Sequence, residues 1–170
     1  RLHIVHVSSA EGLDQVTVAK RRGLLVTCEA LTAHLFLDDT AYARWGNLAV
    51  LSPPLRSVEH QHALVAGIKS GAVDCIATDH APHTAEEQAR ENVWEAVGGW
   101  IGVETMLPLL LTQVAEGWLP IERLVQLTCE NPARIYGLTP RKGALIEGAD
   151  ADLVLVDLQH RWVIDQRLLH

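Results

Sequence analysis

The stretch that decides the fold runs from Ser57 to Thr78 and reads S-VEHQHALVAGIKS-GAVD-CIAT. Its first part, Val58–Ser70, is predicted to be a helix, because Ser57 suits the N-cap and Gly71 suits the left-handed residue that ends many helices. The apolar run Cys75–Thr78 follows closely and predicts a buried strand. A helix that leads directly into such a strand is typical of a parallel sheet covered by helices.

Two earlier segments follow the same order of strand and helix. The apolar run Leu2–Val7 precedes a helix-forming segment, Glu11–Arg22, and the run Leu24–Cys28 ends in Glu29. Nearly continuous apolar strands with polar residues at their carboxyl ends are typical of a barrel whose chemistry lies at that face. We therefore expect an α/β fold of the TIM type, the (β/α)8 barrel.

The number of strands sets a limit on this barrel. A closed (β/α)8 barrel takes about 250 residues, whereas the chain has 170 and shows three strand–helix units. An open sheet of three strands would leave two long edges and one apolar face uncovered. We expect the sequence to begin partway through a barrel whose remaining, N-terminal half lies outside it.

The C-terminal part of the chain no longer alternates strands with helices. Two more helices are predicted, Val103–Glu116 and Ile121–Thr128. Beyond Gly137 a turn-rich segment leads to a predicted strand, Ala151–Asp157, and Trp162–Ile164 is a second candidate. We therefore expect a partial barrel over residues 1–137 and a small β segment of an accessory domain over residues 138–170.

Composition excludes several classes of protein. Apolar residues make up 48% of the chain and the formal net charge is −7 without a block of Lys or Arg, so no nucleic-acid surface is expected. The most apolar stretch, Ile101–Leu111, is too short to span a bilayer and contains Glu104 and Pro108. We expect neither nucleic acid nor membrane as a partner.

Cysteine usage and the start of the chain point to a compartment. The three cysteines form an odd number without metal-ligand spacing, which favours free thiols in a reducing cytoplasm; they are Cys28, Cys75 and Cys129. The segment from Arg1 resembles the start of a strand and not a signal peptide. The expected localisation is cytoplasmic.

The strongest chemical signal is the sequence Thr78-Asp79-His80-Ala81-Pro82-His83 at the end of the third strand. One carboxylate and two imidazoles within five positions suit zinc, and they also suit a substrate. An equally weighted alternative is that Asp79 caps the next helix and that the two histidines form local hydrogen bonds. The segment alone does not decide between the two.

His6, late in the first strand, is the second signal. A lone strand histidine is more often part of the core than a metal ligand, but Asp79 occupies the equivalent place two strands later. We expect both side chains at the carboxyl ends of neighbouring parallel strands, converging on one barrel mouth. His3 has the opposite alternation and is expected to point elsewhere.

Several motifs together resemble the dihydroorotase family. The similarity covers nearly the whole chain, and its motifs follow one another in the family's order. They are Pro53–Arg56, Asp79–Thr84 with Glu86-Glu87, Gly102–Leu111 (Gly-Val-Glu-Thr at its start), Asn131–Ala133 and Gly143–Asp157. The last of these resembles a closing segment found widely among amidohydrolases. The resemblance implies a zinc-dependent barrel, of which this chain holds about the last three strand–helix units.

The resemblance also implies roles for single residues. His6 matches a zinc ligand, and Asp79 matches a zinc ligand that also acts as the general base. His83 matches a residue that binds the carboxylate or ring of the substrate. The remaining substrate-binding candidates are loop residues: Ser52, Arg56, Gly98, Gly99 and Gly102. For Arg56 a structural salt bridge is an equal alternative.

The chain departs from the family pattern at several places. Ser52 stands where the family usually has Asn, and Leu31-Thr32-Ala33-His34 keeps only the second histidine of a Thr-Pro-His-His motif. The family's His-x-His pair, its lysine or aspartate at the metals and its fifth-strand histidine are not in this sequence. We expect the missing N-terminal half to supply them, and the 170-residue chain alone to be inactive.

The implied reaction is the reversible cyclisation of N-carbamoyl-L-aspartate to dihydroorotate in pyrimidine synthesis, by an enzyme that is expected to be a homo-oligomer. Two alternatives remain open. One is a hydantoinase or allantoinase, and the other is a non-catalytic, dihydroorotase-like subunit that supports aspartate transcarbamoylase. Ser52 and Ala33 favour the inactive subunit, whereas the presence of His6, Asp79 and His83 argues against it.

Overall fold

The structure is a computed structural model that describes residues 1–165, 167 and 169. It contains two compact units, Arg1–Gly102 and Val103–His170. The first unit alternates strands and helices: β1 (Leu2–Ile4), α1 (Ala10–Arg21), β2 (Val26–Leu31), α2 (Thr32–Phe36), α3 (Ala41–Trp45), a 3₁₀ turn (Gly46–Ala49), α4 (Val58–Ser70), β3 (Cys75–Ala77) and α5 (Ala85–Gln88).

The three strands form a parallel sheet in the order β1-β2-β3. Leu2 lies opposite Val26 across the first pair of strands, and Glu29 lies opposite Cys75 across the second. The predicted α/β class with parallel strands is confirmed. The predicted bounds of α4 are also confirmed, with Gly71 in the left-handed conformation at φ 84°.

Two strand predictions differ from the structure. β1 ends at Ile4, three residues before the predicted end at Val7, and β2 is Val26–Leu31 instead of Leu24–Cys28. Strand length is set by the available ladder partners, and β2 has β1 beside its first half and β3 beside its second. The expectation that His6 and Asp79 follow neighbouring strands is therefore wrong, because β2 lies between β1 and β3.

Both faces of β2 are buried. Cys28 and Ala30 share one face of β2 and are fully buried, and α1 packs against β2 and α4. A second cluster lies where β2 leads into α2, and it supports the loop that contains Pro53; its buried members are Leu31, Ala33, Ala41, Ala49, Leu51 and Leu55.

The second unit is helical at its start. Its elements are α6 (Met106–Ala115), α7 (Ile121–Val125), a π-helical turn (Gln126–Glu130) and α8 (Asn131–Ile135). The helix predicted to end at Thr128 continues through the wider turn into α8. Pro132 is the second residue of α8 and has no N–H to donate to the preceding turn, which is the wider, π-helical one.

The predicted strands Ala151–Asp157 and Trp162–Ile164 are not strands in this structure. A strand needs a partner for its backbone ladder, and none of the described residues supplies one, so Val154 and Leu155 are 71% and 100% exposed. Gln166, Leu168 and His170, at the end of the predicted β segment, lie outside the described residues. The domain boundary after residue 137 stays a prediction.

None of the described helices is both long and apolar enough to cross a membrane. The three cysteines are free thiols, two of them buried.

Candidate metal and substrate site

His6 and Asp79 lie just beyond the carboxyl ends of β1 and β3, at the same edge of the sheet. Both have left-handed backbone conformations, with φ of 39° and 48°, and they are the only such non-glycine residues in the described part of the chain. This conformation costs an L-residue roughly 1–2 kcal/mol and is concentrated at functional sites. The fold therefore holds both predicted ligands at the same sheet edge in the same strained backbone conformation.

His34 lies between these two positions, in α2 at the end of β2. It is 3% exposed, and its Nε2 donates a hydrogen bond to the carbonyl oxygen of Pro53 at 2.9 Å. The side chain thereby anchors the loop that contains Pro53 at the sheet edge. His34 is not among the predicted site residues, although its place in the altered Thr-Pro-His-His motif was a usable signal.

Burial lowers the pKa of His34 below its ordinary value of 6.5, and the charges of His6 and Arg56 lower it further. The hydrogen bond to Pro53 and the charge of Asp79 raise the pKa but do not outweigh burial. His34 is therefore neutral near pH 7. Since its Nε2 carries the proton that Pro53 accepts, its Nδ1 has an unprotonated lone pair.

Three buried polar atoms at this edge have no hydrogen-bond partner among the described residues: His6 Nδ1, Thr32 Oγ1 and His34 Nδ1. A buried polar atom without a partner costs about 1–3 kcal/mol. Imidazole nitrogen and the carboxylate of Asp79 are both common zinc ligands. The orphaned nitrogen of His6 and this donor set fit a zinc ion held by His6 and Asp79.

The loop after Asp79 settles one alternative. Thr84, and not Asp79, caps α5, through a reciprocal capping box with Glu87. His80 does form a local hydrogen bond, since its Nδ1 accepts from the backbone N–H of Gly102 at 3.2 Å. His83 is partly buried, with its Nδ1 3.8 Å from a Glu87 oxygen. Asp79 is thus not used as a helix cap, whereas His80 has a local role.

The loop from Gly98 to Gly102 packs against the loop from Asp79 to His83. Trp100 accepts a hydrogen bond from the Ala81 N–H at 2.9 Å. A Cβ atom on Gly99 would lie 2.5 Å from the Ala81 carbonyl oxygen and 2.7 Å from Cδ2 of His83. Only glycine fits there, so Gly99 sets the position of His83. A Cβ on Gly102 would lie 3.2 Å from Thr78.

Arg56 and Ser52 are exposed loop residues. The Nε of Arg56 donates to Ser8 Oγ at 3.0 Å, and among the described residues no carboxylate forms an ion pair with Arg56. The salt bridge considered for Arg56 is therefore not formed within this part of the chain. The charge of Arg56 acts on His34, which places the guanidinium near the same edge.

The lowered pKa of His34 predicts a pH dependence of stability. Its folded pKa lies below the unfolded value of 6.5, so its contribution is complete above pH 6.5 and is lost as the pH falls toward the folded pKa. The free energy of unfolding, measured by urea titration, should decrease from pH 7.5 to pH 5 in the wild type. We expect a smaller decrease in His34→Gln. His62→Gln, at an exposed position of α4, should keep the wild-type decrease. Equal slopes for His34→Gln and wild type would contradict the assignment.

Comparisons with known proteins place this arrangement in a family. The profile of the amidohydrolase family matches residues 2–168. A dihydroorotase of Anaplasma phagocytophilum is 40% identical over 163 residues, which are 96% of this chain and 36% of that protein. A dihydroorotase of Halobacterium salinarum is 44% identical over 156 residues, covering 92% of this chain and 35% of that protein.

The chain also superposes on a solved structure. The L-hydantoinase (dihydropyrimidinase) from Arthrobacter aurescens superposes with a TM-score of 0.84 at 36% identity, over 89% of this chain and 34% of that chain. The chain thus spans little more than a third of the length of the curated relatives. The resemblance to dihydroorotases that the motifs indicate is confirmed.

Proposed function

The chain belongs to the amidohydrolase family, and from this premise we propose that it is part of a complete dihydroorotase that interconverts N-carbamoyl-L-aspartate and dihydroorotate. The observation that carries the proposal is the pair of left-handed residues, His6 and Asp79, at one edge of a parallel sheet. The dihydroorotase relatives supply the choice of substrate. Since the chain spans about a third of those relatives, the activity is assigned to the complete protein.

The metal is proposed to be zinc, held by His6 and Asp79 together with ligands from outside this chain. Two protein ligands fall short of the three that a catalytic zinc usually has. When bound, zinc polarises the ring amide carbonyl and lowers the pKa of water. The orphaned Nδ1 of His6 supports this assignment.

Asp79 is proposed to move the proton. In the hydrolytic direction its carboxylate accepts a proton from the attacking water and returns it to the ring nitrogen that leaves. In the biosynthetic direction the same carboxylate takes a proton from the carbamoyl nitrogen as the C–N bond forms, and it gives that proton to the oxygen of the protonated carboxyl group that leaves as water. The exposure of Asp79 at the sheet edge allows the substrate to approach it.

His83 is proposed to bind the carboxylate of the substrate. We expect His83→Ala to raise KM by about 10- to 100-fold with a smaller change in kcat, since a hydrogen bond to a charged group is worth about 1.5–3 kcal/mol. Steady-state kinetics of N-carbamoyl-L-aspartate cyclisation would check this. A fall in kcat with unchanged KM would show that His83 acts in the chemical step instead.

Gly99→Ala is expected to raise KM in the same direction, because the added methyl would displace His83 or the Ala81 carbonyl. Gly98→Ala is the steric comparison in the same loop, although Gly98 is also a predicted substrate-binding position, since a Cβ there would make only ordinary contacts, the nearest 3.4 Å from Val50. Kinetics of both variants would be compared at equal zinc content. A larger effect of Gly98→Ala than of Gly99→Ala would contradict the packing account.

A hydantoinase is the second candidate. It is favoured by the superposition on the L-hydantoinase from Arthrobacter aurescens. The purified complete protein should be assayed for zinc content and for ring closure of N-carbamoyl-L-aspartate. Zinc-loaded protein without turnover of this substrate would remove the dihydroorotase proposal and favour either a hydantoinase or a non-catalytic subunit.

A further inference from the structure

Each strand of the sheet contributes one ligand-type side chain to the same face: His3 from β1, Glu29 from β2 and Cys75 from β3. Glu29 lies directly opposite Cys75, and His3 lies opposite Thr27, two positions before Glu29 on the same face. One ligand atom from each of the three side chains lies within 4.8 Å of the other two. The cluster is within the sheet, whereas His6 and Asp79 lie beyond the strand ends.

These three side chains are withdrawn from solvent. Cys75 is 2% exposed and Glu29 is 8% exposed, and His3 is partly buried with its Nε2 3.0 Å from a Glu29 oxygen. Burial and the charge of Glu29 raise the pKa of the Cys75 thiol to about 12. A buried carboxylate is costly and calls for a cationic partner, and the proposed catalysis uses none of these groups.

The donor set and its spacing suit a borderline divalent cation. Zinc accepts imidazole nitrogen, carboxylate oxygen and thiolate sulfur at about 2.0–2.3 Å in tetrahedral geometry, which puts its donors roughly 3.3–3.8 Å apart. The cluster requires only small movements to reach that spacing. A cation would also neutralise the carboxylate of Glu29 more completely than a hydrogen bond from the imidazole of His3 does.

The ring of His3 is already oriented for this role. Its Nδ1 lies 2.8 Å from Thr27 Oγ1. Without a metal, Nε2–H donates to the Glu29 carboxylate at 3.0 Å and Nδ1 faces the Thr27 hydroxyl; a metal at Nε2 takes the place of that hydrogen and leaves Nδ1–H to donate to Thr27 Oγ1. Metal-bound histidines almost always donate their second ring N–H to a partner of this kind.

We propose that His3, Glu29 and Cys75 form a second metal site, separate from the catalytic one, that binds Zn²⁺ or a similar borderline divalent cation and joins the three strands. The fourth position is open to the second oxygen of Glu29 or to water. Because Cys75 is protonated near neutral pH, metal binding must release its proton to solvent as the metal–sulfur bond forms. The proposal does not depend on the identity of the catalysed reaction.

Cobalt substitution of the full-length protein tests the site, since Co²⁺ bound to thiolate gives a near-ultraviolet charge-transfer band that histidine and carboxylate ligands do not give. We expect the band in wild type, at one cobalt–thiolate bond per chain, with release of one proton on binding. Cys75→Ala should abolish the band, and Glu29→Gln should weaken cobalt binding at this site at least about 10-fold. Turnover by zinc-loaded Cys75→Ala should remain, which separates this site from the catalytic one.

Two cysteines of the same chain provide controls. Cys28→Ala removes a buried thiol from the opposite face of β2, and Cys129→Ala removes an exposed one; both variants should keep the band. A fully cobalt-loaded wild type without a thiolate band would overturn the proposal, and so would a band that survives Cys75→Ala. If Cys75→Ala does not fold, the wild-type band and the Glu29→Gln titration still decide.

Discussion

Asp79→Asn in the complete protein is expected to lower kcat for ring closure of N-carbamoyl-L-aspartate by about a thousand-fold or more. The change alters both the proposed metal ligand and the proposed general base, and general acid–base catalysis alone contributes roughly 10²–10⁴-fold. Asparagine is the appropriate replacement because Asp79 has a φ of 48°, and Asn tolerates the left-handed conformation better than Ala does. The expected loss is then chemical and not a consequence of backbone strain.

The matched control for this variant is Asp14→Asn, which removes an exposed carboxylate from α1. It should keep wild-type kinetics. Kinetics, zinc content and thermal unfolding would be measured on both proteins. An Asp79→Asn protein that keeps near-normal turnover with a normal zinc content would show that another group is the base.

His6→Asn is expected to lower the affinity for the proposed catalytic zinc by at least about 10-fold and to abolish turnover at low zinc concentration. His6 also has a left-handed backbone, with φ of 39°, so Asn again preserves the local conformation. His6 is assigned to the metal because it matches a zinc ligand of the dihydroorotase pattern and because its Nδ1 is buried without a hydrogen-bond partner among the described residues. Zinc titrations with a competing chelator would give the affinity.

His62→Asn is the control for this change, as an exposed histidine of α4. It should bind zinc as the wild type does. If His6→Asn retained wild-type zinc affinity and lost only activity, His6 would contact the substrate and not the metal. If it retained both, the assignment of the sheet edge as the metal site would be wrong.

Local patterns predict the parts of this fold that depend on local interactions. The end of α4 follows from the left-handed Gly71, and its start lies at Ser57 as predicted, although the Ser57 side chain makes no capping hydrogen bond. The common edge of His6 and Asp79 follows from the direction of parallel strands. The prediction of a strand at Ala151–Asp157 is wrong because a strand depends on distant residues. Its residues have strand propensity, but pairing depends on a partner segment that none of the described residues provides.

Features that depend on strand register or on backbone strain are not visible in the sequence. The left-handed conformations of His6 and Asp79 leave no compositional trace, since neither position is glycine. The cluster of His3, Glu29 and Cys75 brings together residues far apart in the chain, through the register of three strands. The spacing of Cys28, Cys75 and Cys129 in the sequence matches no metal-binding motif. The cluster around Cys75 is therefore visible only in the structure.

The most direct test of the central claim is the specificity of the zinc-loaded complete protein. Its kcat/KM would be measured for hydrolysis of dihydroorotate and for hydrolysis of a 5-substituted hydantoin under the same conditions. A dihydroorotase whose site pairs His83 with the substrate carboxylate is predicted to prefer dihydroorotate by at least about a hundred-fold, because the hydantoin leaves that polar group unpaired. Preference for the hydantoin would contradict the account, and so would the absence of turnover of both substrates.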